Sequence, residues 1–265
     1  MTALAELVIS APIEPWRRIG LVLAGACALT AVGFAVLPAL AKPKSSGMLK
    51  EAKLNIEHNA TDHDTGFQGA VDSEGWQSLD LIGPNGAVLR IDGKGALGEL
   101  GLTELFFETV EPNNAEVPID KLLADLPAGT YTYQARGMVN GESTGIELGS
   151  ALLSHAIPAG PVLQSPAEGA TVPADELAVR WGAVTQGLRG GAVNVIAYQL
   201  IVEKDVPVHP HMIGKLGLSM YLPASTTSMT IARGFLEPNT AYNWEVLAIE
   251  ESGNQTLSSG KFRTR

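Results

Sequence analysis

Apolar and polar residues alternate in short runs along most of the chain. Leu54-Asn55-Ile56-Glu57 sends every second side chain to one face, the period of a strand with one buried side. Residues 79–82 and 87–91 do the same around Gly83-Pro84-Asn85-Gly86, where proline and Asn-Gly supply the fixed and positive φ angles of a turn, so a hairpin is predicted. Residues 102–108 fit a strand or a helix. At 118–123 an initial proline is followed by apolar residues at i, i+3 and i+4, which predicts a short helix ending at Leu126-Pro127-Ala128-Gly129. Residues 130–135 and 146–154 complete the strands of a first block, 54–157.

Ile157-Pro158-Ala159-Gly160-Pro161 interrupts strand and helix alike and marks a domain boundary. Beyond it, within 158–265, seven short alternating segments follow at 162–163, 177–181, 196–203, 218–222, 228–232, 242–250 and 260–264. Their number and spacing match an immunoglobulin-like sandwich. The predicted fold class is all-β: two such sandwich domains in tandem, the first with a short helix. Composition agrees, since 29 glycines and 16 prolines suit many strands joined by tight turns.

The start of the chain carries a different pattern. Trp16-Arg17-Arg18 precedes an apolar run over 19–41 that ends in Ala39-Leu40-Ala41, the layout of a secretory signal with an A-x-A cleavage site. The two readings are a signal peptide cut before Lys42 and a retained signal anchor, because the run is long enough to span a bilayer. Either places the rest of the chain outside the cytoplasm, periplasmic or extracellular, with 42–53 as a linker. Ala24-Gly25-Ala26-Cys27 resembles a lipid-attachment box but lacks its leucine and sits mid-run. Cys27 is the single cysteine, so the exported part has no disulfide framework or cysteine metal site. With net charge −10 and no cluster of Lys or Arg, phosphate contact is disfavoured: nucleic acid is excluded as a partner, and membrane contact is left to an uncut N-terminal segment.

The C-terminal block resembles the fibronectin type III family through residues spread along it. Trp181 ends the second segment, where the family places a core tryptophan. Tyr198 lies in the third, where it places an aromatic. Leu236-Glu237-Pro238-Asn239-Thr240-Ala241-Tyr242 looks like the family's corner, through Leu236, Pro238, Thr240 and Tyr242; a proline shapes the crossing, and the tyrosine hydroxyl returns to upstream backbone. The loops at 186–195 and 205–217 are longer than the family pattern, and the integrin-binding tripeptide of some members is absent. The chain after residue 41 also resembles exported bacterial proteins that carry such a domain behind a separate N-terminal region, through Asn59-Ala60-Thr61-Asp62 and residues 101–108. These resemblances imply a fold and a compartment, and no chemistry.

Candidate chemistry is sparse. Asp62-His63-Asp64-Thr65-Gly66 offers alternating carboxylates before a glycine, a possible calcium turn with Asp72 close in sequence, yet Gly66 and Ser73 stand where a calcium loop needs a third donor and a bidentate glutamate. Trp76 is either an exposed platform for a sugar ring or a rim residue closing a sandwich end. His58, His63, His209 and His211 provide pairs, not a metal site, and read as loop histidines. No Gly-x-Ser-x-Gly elbow or phosphate loop is present. The sequence therefore predicts a non-catalytic binding or spacing module of the cell envelope, using loops or a sheet edge, with an unidentified protein or glycan partner and no cofactor. The alternative is a calcium- or carbohydrate-binding module centred on Asp62, Asp64 and Trp76.

Overall fold

The computed structural model describes residues 47–265; the predicted export signal, Cys27 and the first part of the predicted linker lie outside the described residues. Lys42–Arg265 forms one compact unit. Its elements begin with β1 (Gly47–Met48), β2 (Glu51–Asn59), β3 (Asp64–Gly83) and β4 (Gly86–Asp92). There follow α1 (Gly95–Leu100), β5 (Leu102–Glu108), α2 (Ile119–Asp125), β6 (Gly129–Val139) and β7 (Glu142–Leu153). The second half contains β8 (Leu163–Ser165), β9 (Ala170–Val172), β10 (Ala178–Trp181), β11 (Val195–Lys204), β12 (Gly217–Pro223), β13 (Ser228–Thr230), β14 (Ala241–Glu250) and β15 (Gln255–Thr264).

Order starts earlier than the predicted linker end at residue 53. β1 pairs with β7, Leu49 is buried, and Lys50 binds Glu74 at 2.8 Å. The long β3 organises the first half. Its residues 64–72 pair with β2 and β5, whereas 76–82 pair with β6 and β4, with the register breaking between Asp72 and Trp76. A strand that changes neighbours at such a bulge turns a sandwich corner. Gly75 permits it, because a Cβ there would strike the Met138 carbonyl. The two layers thus share one strand, and their inward residues, including Ile56, Phe67, Trp76, Leu79, Tyr131 and Tyr133, form one core. Helix α2 follows directly on its N-cap Pro118, close to where the sequence predicts it, and lays Leu123 into that core. The predicted hairpin joins β3 to β4, with Gly83 opposite Gly86.

In the second half, β8, β10 and β13 form one layer, and β15-β14-β11-β12 the other. Trp181, Tyr198, Leu200, Tyr242, Trp244 and Phe262 fill the space between them. Burying a ring of this size removes about 200 Å² from water, roughly 5 kcal/mol each as an upper estimate. Trp181 meets Tyr198 edge to face, with ring centres 5.7 Å apart. The corner has its expected hydrogen bond: the Glu237 backbone N–H donates to the Tyr242 hydroxyl at 2.8 Å. This is an all-β, immunoglobulin-like sandwich. The short β9 and the first five residues of β15 escape the sequence pattern.

Those five residues join the halves. Gln255, Thr256 and Leu257 pair in parallel with Glu57, His58 and Asn59, so one sheet runs from the first half into the second. Around this ladder, buried Asn254 accepts from the Ile56 N–H through Oδ1 at 2.8 Å and donates through Nδ2 to the carbonyls of Ser154 and Ala156. Thr256 donates to the Pro158 carbonyl at 2.6 Å. Two cores thus lie within one compact unit whose larger sheet is continuous.

Candidate functional site

Strand alternation builds a continuous outer face on the joined sheet. In β2 the even positions Leu54, Ile56 and His58 enter the core, so Lys53, Asn55 and Glu57 point away from it. Register then lines up outward residues across neighbouring strands. Tyr221, Gln199, Leu247 and Leu257 form one row, and Ile249, Gln255, Glu57 and Gly66 another. Lys53, Ala70 and Phe106 continue the face to β5. Seven strands, β12-β11-β14-β15-β2-β3-β5, make a surface roughly 29 Å wide at ~4.8 Å per step. Where the β2/β15 ladder stops at Glu57, the face deepens into a cleft of about 1210 Å³ between β2, β7 and the β14–β15 turn. Its margins carry exposed Phe106 and Tyr221, 64% and 69% accessible.

The chemistry of this face is acidic. Gly66 lies next to Glu57 in register and has no side chain; a Cβ there would meet Glu111 Cγ at 2.7 Å, so Glu111 lies over the gap. Glu57, Glu108 and Glu111 consequently bring carboxylate oxygens within 4.8 Å of one another, the group among the described residues best arranged to hold a cation. Burial, and then the charges of Glu57, Glu108 and Asp64, push the Glu111 carboxyl up to about 7. Burial likewise raises Glu57, against the hydrogen bond it accepts from Gln255. Glu245, further along the face, is raised by burial and by Glu203. Among the described residues none of Glu57, Glu108, Glu111 and Glu245 has a Lys or Arg partner.

The residues singled out by sequence fall elsewhere. Asp62 is held in the β2–β3 turn, accepting from Asn59 Nδ2 at 2.9 Å, while Asp64 begins β3 with a buried Oδ1 that has no partner there. Asp72 lies eight residues along β3, roughly 26 Å from Asp64, beside Lys50 and Glu104. The three aspartates therefore do not converge on one ion. Trp76 is 0% exposed, inside the first core, so its ring is neither a sugar platform nor a rim cover. His58 is a buried strand residue whose Nδ1 meets Thr65 Oγ1 at 2.9 Å, and burial lowers its pKa; it is not a loop histidine. His209 and His211 are exposed on the β11–β12 loop, and the His211 backbone N–H donates to His209 Nδ1. Trp181, Tyr198, Leu236 and Tyr242 are core residues, while Thr240 donates to the Pro238 carbonyl at the corner. The glutamates were missed because they come from β2, β5 and the segment after β5, more than fifty residues apart in sequence for Glu57 and Glu111; the one local sign was glycine at 66.

No protein family matches the chain by sequence, and no curated protein does. Among solved structures it is similar to a two-domain fibronectin type III segment of chicken tenascin, 11% identical over 82% of this chain and 99% of that one, with a TM-score of 0.29. It is also similar to the FN1-FN3 domains of chicken CNTN1, 12% identical over 83% of this chain and 65% of that one, TM-score 0.30. Likenesses this loose carry no argument of their own. The sandwich assignment rests on strand order, the Trp181–Tyr198 contact and the Tyr242 corner, and the resemblance to fibronectin type III and immunoglobulin-like folds is a distant one.

Proposed function

We propose that the chain is an exported, non-catalytic binding module of the cell envelope, in which two tandem sandwiches present one shared face to an extended ligand. The observation that supports this reading most directly is the cleft of about 1210 Å³ on the outer side of the seven-strand sheet, lined from both halves of the chain. Concave surfaces with apolar walls and a few converging polar groups are where ligands bind. A plain spacer has no need for two halves whose outward rows align in register. Export follows from the signal-like layout of residues 16–41.

Photo-cross-linking in the producing cells tests the reading. A photoreactive residue replacing Gln199 or Phe106 on the face should yield discrete adducts, whereas one at exposed Val88, on β4 away from the face, should not. Adducts at Val88 as abundant as those on the face, or none at either face position, would overturn it.

A further inference from the structure

Resting on the reading of the open face as a binding surface, we infer that its ligand is a cationic, extended peptide segment of a partner protein, with Lys or Arg set between apolar residues. Glu57, Glu108, Glu111 and Glu245 are carboxylates without a basic partner among the described residues. The bases near them are already engaged: Lys53 pairs with Glu51, and Lys215 lies 3.6 Å from Glu203. Carboxylates that are partly desolvated and crowd one another lose free energy in the unliganded protein, and an incoming cation relieves both effects. The row Tyr221–Gln199–Leu247–Leu257 brings apolar side chains and an amide that can bond a peptide backbone, and it lies between the row that holds Glu57 and the row that holds Glu245. At ~3.3 Å per residue, a width of roughly 29 Å accommodates about nine residues of extended chain.

Other occupants fit less well. A sugar chain needs neighbouring ring platforms, and the exposed aromatics Phe106 and Tyr221 lie on β5 and β12, at opposite margins of the face. A second copy would bring the same carboxylates and a net charge of −10 against them.

Fluorescence anisotropy with two labelled nine-residue probes, three repeats of Lys-Leu-Thr and three of Glu-Leu-Thr, tests the inference on the exported part of the chain. The basic probe should bind and the acidic one should not, with affinity weakening as salt rises. The isosteric double variant Glu57→Gln/Glu245→Gln should lose about tenfold, the scale of one well-placed ion pair. Removing two exposed charges off the face, Glu116→Gln/Glu142→Gln, should change affinity less than twofold; an equal loss there would mean attraction to net charge alone and would overturn the inference. Equal binding of both probes, weakened by Tyr221→Ala, would also overturn the cationic ligand while leaving the face as the binding surface. Binding of a soluble glucan in place of either peptide, again weakened by Tyr221→Ala, would have the same meaning. Failure of every probe, together with an absence of face adducts in cells, would remove both readings.

Discussion

Glu111 is held where ionisation is unfavourable, over Gly66 and between Glu57, Glu108 and Asp64. Its carboxyl rises from an ordinary 4.5 to about 7, so the folded chain holds this proton more tightly than the unfolded chain does. The resulting stability is fully present below about 4.5 and is lost as pH rises through about 7. Glu57 is raised too and adds in the same sense. Glu111→Gln should therefore flatten the fall of melting temperature between pH 5 and 8.5, and at pH 8 should melt a few degrees above the parent chain, at roughly 2–4 °C per kcal/mol. Scanning calorimetry across that range decides it; a parallel curve displaced downward would contradict the assignment. At this scale the sequence was a poor guide to the site. Asp62 and Asp64 looked like ligands because they alternate locally, whereas the carboxylates that do gather are joined only by register between distant strands. Trp76 read as a sugar platform or a rim residue because its neighbours are polar, whereas it is fully buried in the first core beside the break in register.

Strand elements were far more legible, because a half-buried strand writes its period into the chain. The Tyr242 corner was readable to the level of a single hydrogen bond, and it makes a quantitative prediction. Tyr242→Phe keeps the stacked contact with Phe262 and removes the acceptor of the Glu237 N–H. It should cost about 1–2 kcal/mol in urea denaturation, while Tyr242→Ala, which also empties a core site, should cost about 3–5 kcal/mol. The elements that were missed share a physical cause. The first part of β3 carries Gly66 and Gly69, over which Glu111 and Phe107 pack, so small residues stand where apolar ones would mark a strand. The beginning of β15 is Gln-Thr-Leu-Ser-Ser, and the buried Thr256 satisfies its hydroxyl on Pro158, so polarity there does not mean exposure. A period count cannot detect a strand whose inward residues are polar and bonded.

For the whole molecule, the question is whether two cores behave as one. The β2/β15 ladder is only three residue pairs long, which alone would couple the halves weakly. Asn254 adds what the ladder lacks: it is 0% exposed, and its side chain bonds the Ile56 N–H from one strand and the carbonyls of Ser154 and Ala156 from the chain leaving β7. These partners are 98 to 198 positions away in sequence, so a residue that reads as an ordinary turn asparagine holds the join between halves. Asn254→Ala would strand one buried donor and two carbonyls at roughly 1–3 kcal/mol for each group left unsatisfied, a cost concentrated at the junction and not in either core. The chain from Lys42 should unfold in one calorimetric transition with equal calorimetric and van't Hoff enthalpies, whereas Asn254→Ala should broaden or divide it into two, one for each core. The same variant should weaken any ligand that touches both halves of the face, because Gln255 and Glu57 keep their register only while the ladder holds. A single sharp transition in the variant, lowered without splitting, would instead assign the coupling to the ladder and leave Asn254 a purely local contributor to stability.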